Sequence, residues 1–239
     1  MKKKIWYKLI KRYVLYMWKS NSNSMLGKSM KRKRVCDTDS DTEESTCLPQ
    51  IPMNGLFDAM IPKGTVRVED NHIYLYNDIT QSSMESLVKG IRELNCELGS
   101  MALRYNTEPK IYLHINSDGG EVYPALAAVD TIMKSKIPVI TIIEGCAASA
   151  ATMISVAGTE RHMSKHSHML IHEVRSGFWG KMAQIEEEFD NLEKLMAMIV
   201  DIYKTNTKMS VKEIHQILKK DEMWDPEKCL KKGLIDKIV

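Results

Sequence analysis

Apolar and polar positions fall into two regimes along this chain. Up to about residue 51 charged and polar residues are grouped in blocks, with no sustained strand or helix period after the opening stretch. From about residue 52 runs of β-formers alternate with amphipathic stretches. HIYLYND (72–78) predicts a strand, and a helix is predicted from about Gln81 to Leu103. KIYLHIN (110–116) predicts a second strand ending at the turn SDGG, followed by a helix, EVYPALAAVDTIMKS (121–135). PVITIIEG (138–145) predicts a third strand that runs into GCAASAATMISVAG, a stretch with almost no side chain and then an apolar helical pattern. RHMS and MLIHEV read as short strands. KMAQIEEEFDNLEKLMAMIVDIYKTN (181–206) reads as a long helix with apolar residues recurring at Ile185, Phe189, Leu192, Leu195 and Ile199. Near the end, Asp225-Pro226 opens a short helix, Gly233 closes it, and a last strand follows. Strands alternating with helices at this spacing imply an α/β fold, mainly parallel, with right-handed crossovers.

Composition sharpens the boundary between the regimes. The chain has 239 residues, 44% hydrophobic and 27% charged, enough for one ordinary domain plus extensions. Its net charge of +3 conceals an asymmetry. Residues 1–34 hold twelve Lys/Arg and no acid, so the remaining 205 carry 22 basic against 31 acidic side chains. Any nucleic-acid partner would therefore concern the tail; none is expected for the folded domain. KRKRVCDTDSDTEES (31–45) sets a basic block, similar in form to a nuclear-localisation patch, against an acidic one. It cannot bury enough apolar surface to offset its ordering entropy and reads as a disordered linker. The division is then a basic, next acidic extension over 1–50 and a folded domain over 51–239.

Several classes drop out. Lys8, Lys11 and Arg12 interrupt what would be the apolar region of a signal peptide, and no run of about 18 apolar residues predicts a membrane span. The opening residues suit a basic amphipathic surface helix or an extension preceding alternative starts at Met25 or Met30. Five scattered cysteines (36, 47, 96, 146 and 229) without a CxxC point to reduced thiols in an intracellular, cytoplasmic setting.

Ser149 is the candidate for chemistry. A serine at the start of a helix is ordinarily a cap and a packing filler. This one follows the carboxyl end of a strand, where α/β folds place ligands, and unpaired helix-start N–H groups lie beside it. SDGG follows another strand, and its glycines let a backbone N–H approach a substrate carbonyl. Two such donors make an oxyanion hole, and Gly120 and Ala150 are the candidates. His172, in MLIHEV, can act as the base that a serine needs. For the acid that orients the imidazole, Asp201, Asp221, Asp225 and Asp236 compete. A rival reading groups His162, His166, His168 and His172 as a metal site, but ligand spacing alone is weak support; no cofactor is expected.

Four ordered motifs, SDGGEVYPALAAVDTI, GCAASAATMISVAG, HSHMLIHE and DEMWDPEKCLKKGLID, together resemble ClpP, the family of proteolytic subunits of the Clp protease, over about residues 66–239. The resemblance implies a ClpP/crotonase-like fold of stacked β-β-α units with a protruding handle helix over 181–206. It implies a nucleophile at Ser149, a base at His172, oxyanion donors at Gly120 and Ala150, and an acid at Asp221, chosen because the stretch from there to GLID is ungapped. It further implies an endopeptidase of peptides and unfolded proteins, stacked heptameric rings enclosing the sites, and an AAA+ unfoldase partner. The chain departs from the family's usual residues at Asp118 (Pro), Cys146 (Gln), Ala150 (Met) and Glu173-Val174 (Gln-Pro). None removes a catalytic atom, though Glu173 beside the base bears on histidine basicity or peptide preference. SGFWGK after the histidine is similar to ClpP-like proteins of phages and large viruses. The family's gating N-terminal region is not recognisable. Three alternatives stand beside the endopeptidase: a silent scaffold subunit in a mixed ring, which would not need a complete triad; a crotonase-type acyl-CoA enzyme, which would use carboxylates; and a viral prohead-maturation protease with the same triad.

Overall fold

The computed structural model describes residues 66–239. The extension over 1–50, its KRKR patch and its candidate surface helix lie outside the described residues. Eight strands and six helices are described: β1 (Arg67–Glu69), β2 (His72–Leu75), α1 (Gln81–Tyr105), β3 (Ile111–Ser117), α2 (Val122–Met133), β4 (Val139–Ala148), α3 (Ala150–Val156), β5 (Glu160–Met163), β6 (His168–Ile171), α4 (Met182–Asn206), α5 (Val211–Leu218), β7 (Glu222–Trp224), α6 (Pro226–Lys232) and β8 (Lys237–Ile238). The molecule has the α/β architecture that the spacing predicts, consistent with the fold that the family resemblance implies. Parallel pairing dominates, and among the described strands only β1–β2 and β6–β7 run antiparallel.

The sheet forks at β4, and the fork positions the site. Ile140–Ile143 pair with β5, whereas Cys146–Ala148 pair with β6. The small-residue stretch is therefore partly strand: its Cys, Ala and Ala are the last rungs of β4, and only from Ala150 does the helix begin. Alanines are needed there because both faces are covered. Every residue of α3 is buried, and so are Ala147 and Ala148. A short helix buried on every face sits inside the core, with Thr152 and Ser155 as its only polar side chains. Met153, Ile154 and Val156, each worth about 1.5–3 kcal/mol on full burial, hold it there.

The long helix α4 has two characters. Leu195, Ile199, Val200 and Tyr203 are buried against the body, whereas Met182, Ile185 and Phe189 in its first half are at least 40% exposed. The apolar recurrence noted from Ile185 to Ile199 thus continues beyond the intramolecular core, as a handle does.

Three elements escape the sequence pattern: β1, β7 and α5. The helix α5 carries a legible start signal, since Ser210 Oγ accepts from Glu213 N–H at 3.3 Å and Glu213 Oε2 accepts from Ser210 N–H at 2.9 Å. The three-residue strand β7 is too short to show any period. One expectation is corrected: His172 does not lie within a strand. The strand β6 ends at Ile171, because from Glu173 the backbone turns to α5, with Glu173 N–H donating to Leu218 C=O at 2.7 Å.

Candidate active site

Three adjacent strand ends bring Ser149, His172 and Asp221 to one place. The parallel register aligns Ala148 of β4 with Leu170 of β6, and Ser149 N–H donates to Leu170 C=O at 2.8 Å. One residue further along β6 comes Ile171, and then His172. The antiparallel register aligns Ile171 with Glu222, so the next rung sets His172 against Asp221. Ser149, Ala150, His172, Gly120 and Asp118 all line one cleft of about 270 Å³, walled by Val122, Met153, Ile199 and Tyr203.

Ser149 sits at a strained corner. Its φ of 53° and ψ of −123° lie outside the regions comfortable for a residue with a Cβ. Such a backbone persists only where its surroundings over-determine it, and here they do. Ser149 C=O accepts from Thr152 N–H at 3.0 Å and from Thr152 Oγ1 at 2.6 Å, and Thr152 Oγ1 in turn contacts Tyr203 OH at 2.5 Å. Burial pushes the Tyr203 phenol up to about 12, so it stays neutral. The Ser149 side chain makes no capping bond, which removes the ordinary explanation for a serine at this position and leaves Oγ to the cleft.

The turn at Gly119-Gly120 is as tightly specified. Both glycines have positive φ, 98° and 145°. A Cβ on Gly119 would meet Ala148 O at 2.6 Å and Ser149 Cβ at 2.7 Å, and one on Gly120 would run into the Ile79 backbone. Glycine is required for this approach. Ile79 N–H donates to Gly119 C=O at 2.7 Å and Glu121 N–H to Ile79 C=O at 2.8 Å. That bridge takes the groups on either side of Gly120 N–H and turns it the other way. Ala150 N–H is the first amide of α3, which has no partner within its own helix. Two amides on either flank of Ser149 are therefore set by backbone geometry alone.

The base side is held more loosely. His172 Nδ1 lies 3.4 Å from Asp221 Oδ1, within ion-pair range, yet the atom is buried and makes no hydrogen bond. Proximity is present and alignment is not. The other oxygen of the same carboxylate, Oδ2, accepts from Arg175 Nη2 at 2.5 Å. Arg175 and Asp221 are exposed, whereas the His172 side chain is only 13% exposed. Arg175 also lines the cleft, and sequence reasoning passed it over. Its only signal is a cation three residues beyond the candidate base, which without β7 has nothing to pair with. Glu173, singled out from the sequence instead, faces solvent.

The competing readings find other roles in the structure. Asp225 caps α6, its Oδ1 accepting from Lys228 N–H at 2.8 Å. Asp236 pairs with Arg161, and Asp201 is exposed on α4. The four clustered histidines do not converge: His162 Nε2 contacts Glu160 Oε1 at 2.7 Å, while His166 and His168 are exposed. Among the described residues no three His, Cys, Asp or Glu side chains are grouped as a metal would need. Cys146, three residues before Ser149, is no rival nucleophile. Burial, then the nearby Asp118 carboxylate, raises its pKa and keeps it a thiol.

Among the described residues no helix is long and apolar enough to cross a membrane. A family model described as Clp protease matches residues 65–239. The chain is also 35% identical over 136 residues to the "ATP-dependent Clp protease proteolytic subunit" of Deinococcus radiodurans, a match spanning 56% of this chain and 67% of that one.

Proposed function

The chain belongs to the Clp protease family and is a serine-type peptidase; from that premise we propose that Ser149, His172 and Asp221 form its catalytic triad, with Gly120 and Ala150 N–H as the oxyanion hole. The observation that carries this reading is the convergence of the three side chains on the ends of β4, β6 and β7, with the strained Ser149 between two amides.

The chemistry follows from the geometry. His172 Nδ1 faces Asp221, which leaves Nε2 to accept the proton of Ser149 Oγ. Oγ attacks the scissile carbonyl carbon, and the negative charge moves to the carbonyl oxygen, where the two amides stabilise it. Preorganised donors of this kind are each worth about 10²–10³ in rate. The imidazolium then protonates the leaving amine and the C–N bond breaks. Water, deprotonated by the same imidazole, hydrolyses the acyl-enzyme and frees Ser149. Asp221 stabilises the imidazolium without taking its proton.

At the level of the whole protein, the proposal is an endopeptidase of peptides and unfolded proteins, with residues 51–239 as the peptidase domain and 1–50 as an extension. It works as an oligomer, in stacked heptameric rings that enclose the sites, with an AAA+ unfoldase feeding them and a cytoplasmic setting. The half-exposed apolar residues Met182, Ile185 and Phe189 of α4 support a contact between copies, and the relative's name describes an ATP-dependent proteolytic subunit.

The test is labelling with a fluorophosphonate probe, read by intact mass, on the native chain and Ser149→Ala, with native mass spectrometry for the assembly. One label per native chain and none on the variant is expected. A folded, assembled native chain that takes no label would overturn the triad.

A further inference from the structure

Arg175 lines the cleft and binds the Asp221 carboxylate, yet takes no part in the triad chemistry. Resting on the proteolytic reading above, we propose that Arg175 is a specificity-determining and positioning residue that makes the enzyme prefer substrates with a carboxylate beside the scissile bond.

Arg175 stands at the edge of the cleft with His172 and Ser149, and its side chain is 71% exposed. Val174 packs against the core and the Glu173 N–H bond to Leu218 ties down the backbone, so the guanidinium projects from a fixed base. A guanidinium has five donors, and its contact with Asp221 Oδ2 leaves others for a second carboxylate. The strand order β3–β4–β6 sets Asp118, just past β3, and Arg175, just past β6, on opposite sides of Ser149. The cleft thus carries a carboxylate at one flank and a guanidinium at the other, which fixes the direction in which an acidic substrate side chain is welcome.

The positioning part follows from what Arg175 does to Asp221. The imidazolium formed during catalysis is stabilised by the negative charge of Asp221, and the guanidinium 2.5 Å from that carboxylate offsets this charge. It also holds the carboxylate where His172 Nδ1 has no hydrogen bond. A substrate carboxylate on Arg175 cancels the offset and loosens the hold, which returns Asp221 to the histidine. An acidic substrate therefore gains in kcat as well as in KM.

The experiment uses the full chain and pairs of fluorogenic peptides identical except for Glu or Gln at each position around the scissile bond. Native protein, Arg175→Gln and Arg175→Glu are compared, with kcat and KM determined separately and the fluorophosphonate labelling rate taken on the same samples. Because the pair is exposed, the native enzyme is expected to favour Glu about fivefold at one position or more. That preference should shrink at about 1 M salt, where charges are screened within about 3 Å. Arg175→Gln should bring the ratio near one while cutting the Gln peptides at least as fast as native, and Arg175→Glu should turn the preference towards Gln. A native ratio near one, or a ratio that survives Arg175→Gln, overturns the proposal. So does an equal loss on both peptides in Arg175→Gln, which would make Arg175 only a support for Asp221. A native protein that neither labels nor cuts would remove the proteolytic reading itself, and this proposal with it; a protein that labels normally but shows no charge preference removes this proposal alone.

Discussion

The two flanks of Ser149 are built in opposite ways. On the nucleophile side, Gly119, Gly120, Ser149 and α3 are positioned by backbone hydrogen bonds, buried neighbours and backbone conformations that leave no slack. On the base side, the imidazole is well shielded but its orienting partner is an exposed carboxylate shared with an exposed arginine. Backbone amides cannot change rotamer, whereas surface carboxylates can. Under the proposed triad, a site divided in this way keeps its oxyanion geometry permanently and its proton-transfer geometry adjustable, and the comparison predicts how each flank responds when disturbed.

Ser149→Ala should have the largest effect, a loss of at least about 10³-fold in peptide cleavage and of all fluorophosphonate labelling. Circular dichroism should be unchanged, since the Ser149 side chain makes no capping bond. Gly120→Ala comes next. Its methyl would run into the Ile79 backbone, so kcat should fall about 10²–10³-fold as the amide is displaced. Gly99→Ala on α1 is the control, because a Cβ there meets nothing within 4 Å; it should retain full activity and gain about 0.5–1 kcal/mol of stability in denaturant titration.

On the base side the effects should be smaller. Losing a buried, aligned triad aspartate costs about 10⁴ in kcat, so for the exposed, unaligned Asp221 we expect Asp221→Asn to cost about 10–100-fold. A loss as great as that of Ser149→Ala in steady-state kinetics would erase the contrast between the flanks. The smallest effect concerns the chain beyond Asp221. Asp236 Oδ1 and Oδ2 accept from Arg161 Nη2 and Nε at 2.7 and 2.9 Å, which holds the Asp236 carboxyl below the usual range. A carboxylate with a lowered folded pKa stabilises above its unfolded value of about 3.9, and that contribution is lost as pH falls through the folded value. Asp236→Asn should cost about 1 kcal/mol at pH 7, the pair being 40% exposed on the Asp side, and the difference in unfolding free energy should shrink as pH falls through the lowered folded value.

Much of this arrangement is legible in the residues themselves. HIYLYND and KIYLHIN announce their strands because alternating burial demands β-formers, PVITIIEG because a strand covered on both faces demands a continuous apolar run, and both Asp225-Pro226 and Gly233 mark the ends of α6 because capping is local chemistry. Ser149 and the glycines of SDGG are visible for the same reason, since small residues beside a strand end have a local meaning, and His172 is visible as an imidazole in an apolar strand-like run. Asp221 is different. Read from spacing alone it is one aspartate among four, and family resemblance is what singles it out. In the structure Asp221 is set against His172 by β7, three residues that pair with β6 across a separation of about fifty positions. Arg175 was missed for a related reason, since its partner becomes its neighbour only through that same pairing.

The chain's local pattern therefore determined the element types, the strand–helix alternation and the residues that must be small or must be glycine, because steric limits and burial periodicity act over a few residues. Tertiary structure alone decided the fork of β4 between β5 and β6, the short strand that sets Asp221 against His172, and the sharing of that carboxylate with Arg175. Those depend on which distant segments become neighbours, and that is decided by the packing of the whole core.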